Sequence, residues 1–164
     1  SNWRPVVILN STSKCLERVL NFQLKKYLER WHLLSDQQHA YRAGRSTSTA
    51  WVEVDTWVAK CMEERRLAGM YLLDMSAAFN VVSKEILIPK LWRIGVSWES
   101  CLLINSYMTG RRNAVKVDGH VSDFLNVLTG IGEGSVLGPL VFLVCILETS
   151  MIVEVIKEMM EDKE

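Results

Sequence analysis

Residues 69–79, GMYLLDMSAAF, hold the arrangement with the clearest chemical potential. Met70, Tyr71, Leu72 and Leu73 form a short apolar run of strand type, and one carboxylate, Asp74, stands where the run ends. Ser76, Ala77 and Ala78 leave room beside it, and Phe79 closes the group with a large flat ring. An acid at the carboxyl end of a buried strand, followed by small residues, suits binding of a cation or a polar substrate. The same pattern suits a helix cap, which from this stretch alone is the commoner use.

Two further stretches carry chemical character. In residues 130–142, GIGEGSVLGPLVF, four glycines precede an apolar run, which brings backbone close to a partner and aims helix-start amides at it. The lysine and hydroxyl of a phosphate-binding GxxxxGK[ST] loop are missing, as is a GxGxxG fingerprint, and a tight turn before a buried helix explains the glycines equally. Arg42 and Arg45 flank Gly44 in a polar connection, where two guanidinium groups can clasp phosphate or stack on a base. Arg-rich surface loops are also ordinary.

The elements that must position these residues can be read in order. VVIL near the start is short and extended in character. Ser11, Thr12 and Ser13 offer cap hydroxyls to a helix reaching about Arg30, with Leu16, Val19, Leu20, Leu24, Tyr27 and Leu28 at helical spacing. Lys14, Arg18, Lys25, Lys26 and Arg30 occupy its polar positions and offer a phosphate-facing surface, though solvation explains them as well. Ser46 or Thr47 caps a second helix to about Arg66, with Ala50, Val54, Trp57, Val58 and Cys61 on one side. Helices are expected over about 83–94, with Pro89 inside and Gly95 as the stop, and over about 98–108. Residues 112–128 alternate about Asp118-Gly119, the strongest short-range hairpin signal. The last apolar run, 136–147, is too short to span a bilayer, which takes roughly 20 residues, and reads as a buried helix.

Composition sets the frame. With 49% hydrophobic and 23% charged residues among 164, the chain is globular and large enough to bury a core. A formal net charge of zero conceals a polarity: residues 1–45 carry eight Lys or Arg against three acids, and residues 148–164 carry two against six. The basic front favours a polyanionic partner, or is simply a solvated face. Four separated cysteines, Cys15, Cys61, Cys101 and Cys145, signal neither a zinc site nor a disulfide framework, and read as reduced core thiols of an intracellular protein. A nuclear or cytoplasmic location and no membrane partner are expected. With no initiator Met, the chain reads as cut from something longer.

Taken together, WRPVVILN, LLSDQQHAYRAGRST, LLDMSAAFN, LIPKLWRIGV, INSYMTGRRNAVKVDG and GEGSVLGPLVF resemble, in order and over about 2–146, the reverse transcriptase of non-LTR, jockey-like or LINE-type retrotransposons. The resemblance implies an α+β fold: a partial right-hand polymerase of fingers and upper palm, mostly helical, with a small antiparallel palm sheet, a hairpin near 112–128 and no thumb. It implies that Asp74 is the first catalytic aspartate and a Mg²⁺ ligand. Phe79 matches the aromatic steric gate against a ribose 2′-hydroxyl, and Arg4 the arginine that reaches the triphosphate. Glu133 and Gly134 fall at the nucleotide, whereas Arg42, Arg45, Ser135, Gly138 and Pro139 fall at the template. The implied partners are an RNA template, an RNA–DNA duplex and deoxynucleotides.

The chain departs from the family pattern in ways that bear on chemistry. Two-metal phosphoryl transfer holds its ions roughly 3.5–4 Å apart with shared carboxylates. The family supplies them from an aromatic-x-Asp-Asp hairpin, whereas this chain reads ILETSMIVEVIKEMMEDKE after Cys145. Glu133 replaces the family's Gln, Gly132 its Pro, which is expected to loosen the turn, and Ala77 and Asn80 replace the Lys and Asp of a KAFD core. The expectation is a fingers and palm piece over 1–147 that is catalytically incomplete, followed by an acidic amphipathic helical tail over 148–164. Alternatives are a non-catalytic nucleic-acid-binding or protein-interaction remnant. A palm sheet lacking strands is also expected to self-associate.

Overall fold

A computed structural model describes residues 6–70, 72, 74–75 and 78–147. Arg4, Ala77 and the tail at 148–164 lie outside the described residues. The chain divides into two compact units, one built from Ser1–Leu33 with Ala77–Glu164 and the other from Leu34–Ser76.

The first unit begins with an extended segment at residues 6–7 that leads into α1, Ser11–Arg30. The cap is not one of the three predicted hydroxyls: the Asn10 side chain accepts from the Ser13 amide at 2.7 Å. Helix α1 buries Glu17, Leu24 and Leu28, while the predicted core residues Leu16 and Val19 are exposed. After α2 in the other unit come α3, Lys84–Arg93, and α4, Trp98–Met108. Ser83 and Ser97 cap them through side-chain bonds from the Glu85 and Ser100 amides. Pro89 sits within α3 without ending it, and Gly95 follows its end at φ +87°.

Four two-residue strands form the hairpin: β1, Arg112–Asn113, β2, Lys116–Val117, β3, His120–Val121, and β4, Leu125–Asn126. β2 pairs antiparallel with β3 and β1 with β4. Asp118 and Gly119 both adopt positive φ, 48° and 83°, which a two-residue hairpin turn with the right twist requires. The hairpin is exposed throughout its strands, with the Arg112 guanidinium 5.4 Å from the Phe124 ring centroid. The last helix, α5, Gly138–Cys145, is apolar and buries Gly138, Leu140, Val141, Leu143 and Val144. It packs on α3 and α1, and α3 also packs on α4. The core of this unit therefore gathers around α5, as a short helix apolar on all sides requires.

Among its described residues the second unit contains one helix, α2, Thr47–Glu63. Ser46 and Thr49 form a reciprocal capping box at its start. Its buried side chain is Cys61, with Ala50, Val54 and Val58 half-buried on the same side. Met70 and Leu72 are exposed and belong to no strand, so the expected strand before Asp74 is absent from its described residues; Tyr71 and Leu73 fall outside them. The four cysteines are free, but only Cys61 and Cys101 are buried; Cys15 is exposed and Cys145 half-buried, so the reading of all four as core thiols is corrected. Among the described residues, no helix is long and apolar enough to cross a membrane.

Candidate functional site

Residues 130–139 of the predicted site are held by three segments of the first unit. From one side, the turn after Phe79 docks through backbone bonds: the Ile131 amide donates to the Phe79 carbonyl and the Gly130 amide to the Val82 carbonyl, both at 2.7 Å. Gly130 has φ +86°, and a Cβ there would lie 2.9 Å from the Asn80 Cα and oxygen. Only glycine fits this approach. The half-buried Phe79 ring packs on Phe142 of α5, centroids 5.5 Å apart and planes tilted by 49°.

From a second side, the opening segment lies parallel to the turn: Val6 bridges to Glu133, and the Val7 amide donates to the Glu133 carbonyl at 2.8 Å. A Cβ on Gly132 would overlap the Val7 side chain. Glycine at this position therefore admits the opening segment, where the sequence reading expected only a looser turn. Arg4, two residues before Val6, lies outside the described residues.

The third hold comes from α1. Glu17 is only 1% exposed, and its Oε2 accepts from the Val136 and Leu137 amides at 2.6 and 3.2 Å. The Tyr107 hydroxyl of α4 donates to Glu17 Oε1 at 2.9 Å. Burial, followed by the Glu17 charge and its hydrogen bond, pushes the Tyr107 phenol up to about 12, against smaller opposing pulls from Ser135 and Arg111. Arg111 is drawn down from its ordinary value by burial; it donates to the Met108 carbonyl at 3.2 Å and to the Gly130 carbonyl. Ser135 is buried and its Oγ accepts from the Gly138 amide at 3.0 Å, which starts α5, with Pro139 in the first turn where a missing N–H costs nothing. Glu17 was absent from the sequence-predicted site. The available signal was an acid standing seven residues before Leu24, on the stripe that α1 buries.

The first unit thus brings Phe79, Glu133, Gly134, Ser135, Gly138 and Pro139 into one hydrogen-bonded neighbourhood. Arg42, Arg45 and Asp74 belong to the second unit. There Arg42 Nη1 donates to the Ser35 carbonyl at 2.6 Å, and Arg45 donates to the Asp36 carbonyl and, at 3.3 Å, to its carboxylate. Both arginines therefore fold back on residues 35–36 of their own loop. Asp74 is exposed. Among the described residues, no three His, Cys, Asp or Glu side chains cluster in a way that could hold a metal. One exposed carboxylate does not fit a two-metal site, whose ions need bridging carboxylates.

The chain belongs to the reverse transcriptase (RNA-dependent DNA polymerase) family, whose model matches residues 1–158. Its relatives are the polymerases of non-LTR retrotransposons. It is 27% identical over 150 residues to the probable RNA-directed DNA polymerase from transposon X-element of Drosophila melanogaster, covering 87% of this chain and 16% of that protein. The probable RNA-directed DNA polymerase from transposon BS of the same species is 29% identical over 141 residues, with 86% and 16% covered. The retrovirus-related Pol polyprotein from type-1 retrotransposable element R2 of Popillia japonica is 25% identical, with 87% and 20% covered. The chain thus spans a fifth or less of these relatives. No solved structure matches it significantly.

Proposed function

We propose that this chain serves RNA-directed DNA synthesis as the part that positions template and incoming deoxynucleotide, and that by itself it does not complete the chemistry. The carrying observation is the docking of the Phe79 turn onto residues 130–131 by two 2.7 Å backbone bonds. That docking fixes an aromatic ring beside a glycine-rich turn within one compact unit, as a steric gate beside a nucleotide requires. In this reading Phe79 excludes a 2′-hydroxyl, and Glu133, Gly134 and Arg4 meet the nucleotide. Ser135, Gly138 and Pro139 support the template–nucleotide pair, with Arg42 and Arg45 on the template backbone. Asp74 is the one family-type catalytic carboxylate of the chain. The family's reaction uses a divalent metal such as Mg²⁺, which would need carboxylates beyond Asp74.

Primer extension on an RNA template with Mg²⁺ and deoxynucleotides, run beside binding of an RNA–DNA duplex, tests the proposal. The expected outcome is no extension, together with binding that weakens steeply as salt rises, because phosphate contacts release counterions. Extension that Asp74→Ala abolishes overturns the incompleteness, and absent or salt-indifferent binding overturns the positioning role.

A second reading, a protein-interaction role, draws on the hairpin. Val115, Val117, Val121, Phe124, Leu125 and Leu128 are all exposed, and a run of exposed apolar side chains invites contact with another chain. Sedimentation showing a monomer at all concentrations excludes self-association.

A further inference from the structure

We propose that Glu17 is the positioning residue for the glycine-rich turn: its buried carboxylate fixes the backbone of residues 133–137 and so sets how the turn presents itself to nucleic acid. This rests on the positioning function proposed above. Taking a carboxylate out of water is expensive unless its charge is met. Among the described residues no cation pairs with Glu17. Its charge is met instead by two consecutive amides, Val136 and Leu137, at the start of α5, and by the Tyr107 hydroxyl. Donors at a helix start face negative charge favourably, and hydrogen bonds to an ionised acceptor are the stronger kind. These bonds join residues 119, 120 and 90 positions apart, so they are tertiary ties and not local caps.

The geometry also explains why an acid suits this position. Two amides converge on one oxygen, Oε2, while the second oxygen takes the phenol, so both carboxylate oxygens act as acceptors. Glutamine keeps an acceptor for the amides and loses the charge; alanine removes both and leaves two backbone donors, one buried and one part-buried, without that partner. The other holds on the turn lie at its two ends: Val7 at Glu133, and the Phe79 turn and Arg111 at residues 130–131, on one side, and the Ser135–Gly138 bond at the start of α5 on the other. Loss of Glu17 therefore loosens the stretch between Glu133 and the start of α5, with both ends still tethered.

The test uses the full chain in three forms, wild type, Glu17→Gln and Glu17→Ala, with hydrogen exchange of single amides and binding of an RNA–DNA duplex as readouts. Protection at Val136 and Leu137 is expected to fall about tenfold in Glu17→Gln, and about ten- to a hundredfold in Glu17→Ala. Duplex affinity follows in the same order, so that the glutamine variant rescues part of what alanine loses. Leu87→Ala, which removes a buried side chain from α3, serves as the control: it lowers global stability without singling out those two amides. Unchanged protection at Val136 and Leu137 in both Glu17 variants overturns the proposal. If Glu17→Ala does not fold, the wild-type and Glu17→Gln pair decides alone, and equal protection in that pair overturns it. If the wild-type chain binds no duplex, the functional reading fails, and amide exchange still decides whether Glu17 fixes the turn.

Discussion

Tyr107 carries a measurable consequence of burying Glu17. Its phenol ordinarily titrates near 10, and in the fold it rises to about 12, chiefly through burial and then through the adjacent carboxylate. The protonated phenol is the form the fold favours, so its contribution to stability is fully present below about pH 10 and disappears as pH rises toward about 12. Denaturant midpoints taken across that interval should fall for the wild type and fall less for Tyr107→Phe, which has no phenol to ionise. Equal slopes for the two proteins would show that Tyr107 is not the group responsible. At the same scale, the glycine-rich turn could be picked out from the sequence, because motif residues keep their spacing whatever the fold does. Glu17 could not: an acid in the middle of a basic amphipathic helix looks solvated until the partner amides, more than a hundred positions away, are brought to it.

Helices and the hairpin were the legible elements, because their signals are local. Ser46 illustrates this. It was one of two named cap candidates, and it caps α2 with Thr49 closing the box. Ser46→Ala should destabilise α2 by about 1 kcal/mol, with the loss seen as faster amide exchange confined to the first turns of that helix; a loss spread evenly along the chain would contradict a local cap. Asp118-Gly119 likewise placed the hairpin correctly, since few residues tolerate two successive positive φ values. The strand expected at 70–73 was the element that failed in its described residues. Its apolar look is a burial signal, and strands need a neighbour to pair with. Met70 and Leu72 are instead exposed.

Over the whole molecule, the buried core is distributed unevenly. α5 buries five of its eight residues, whereas α2 buries Cys61 alone among seventeen. Few buried apolar groups mean a low cost of local opening. Hydrogen exchange followed by mass spectrometry should therefore show α2 peptides exchanging well before α5 peptides at one pH and temperature. Equal protection would mean that α2 is stabilised by something other than its buried face. The same unevenness bears on function: the glycine-rich turn is anchored on the well-packed helix, whereas Arg42 and Arg45 sit in the thinly packed unit and bond to their own loop.

The sequence by itself determined the family, the order of the helices, the hairpin turn and the identity of the motif residues. All of these follow from spacing along the chain. Only the tertiary structure decided which groups hold the glycine-rich turn. Gly130 faces Asn80, Gly132 admits Val7, and Glu17 meets Val136 and Leu137. These approaches depend on where distant segments come to rest, and burial alone turns an ordinary helical glutamate into an acceptor the turn depends on.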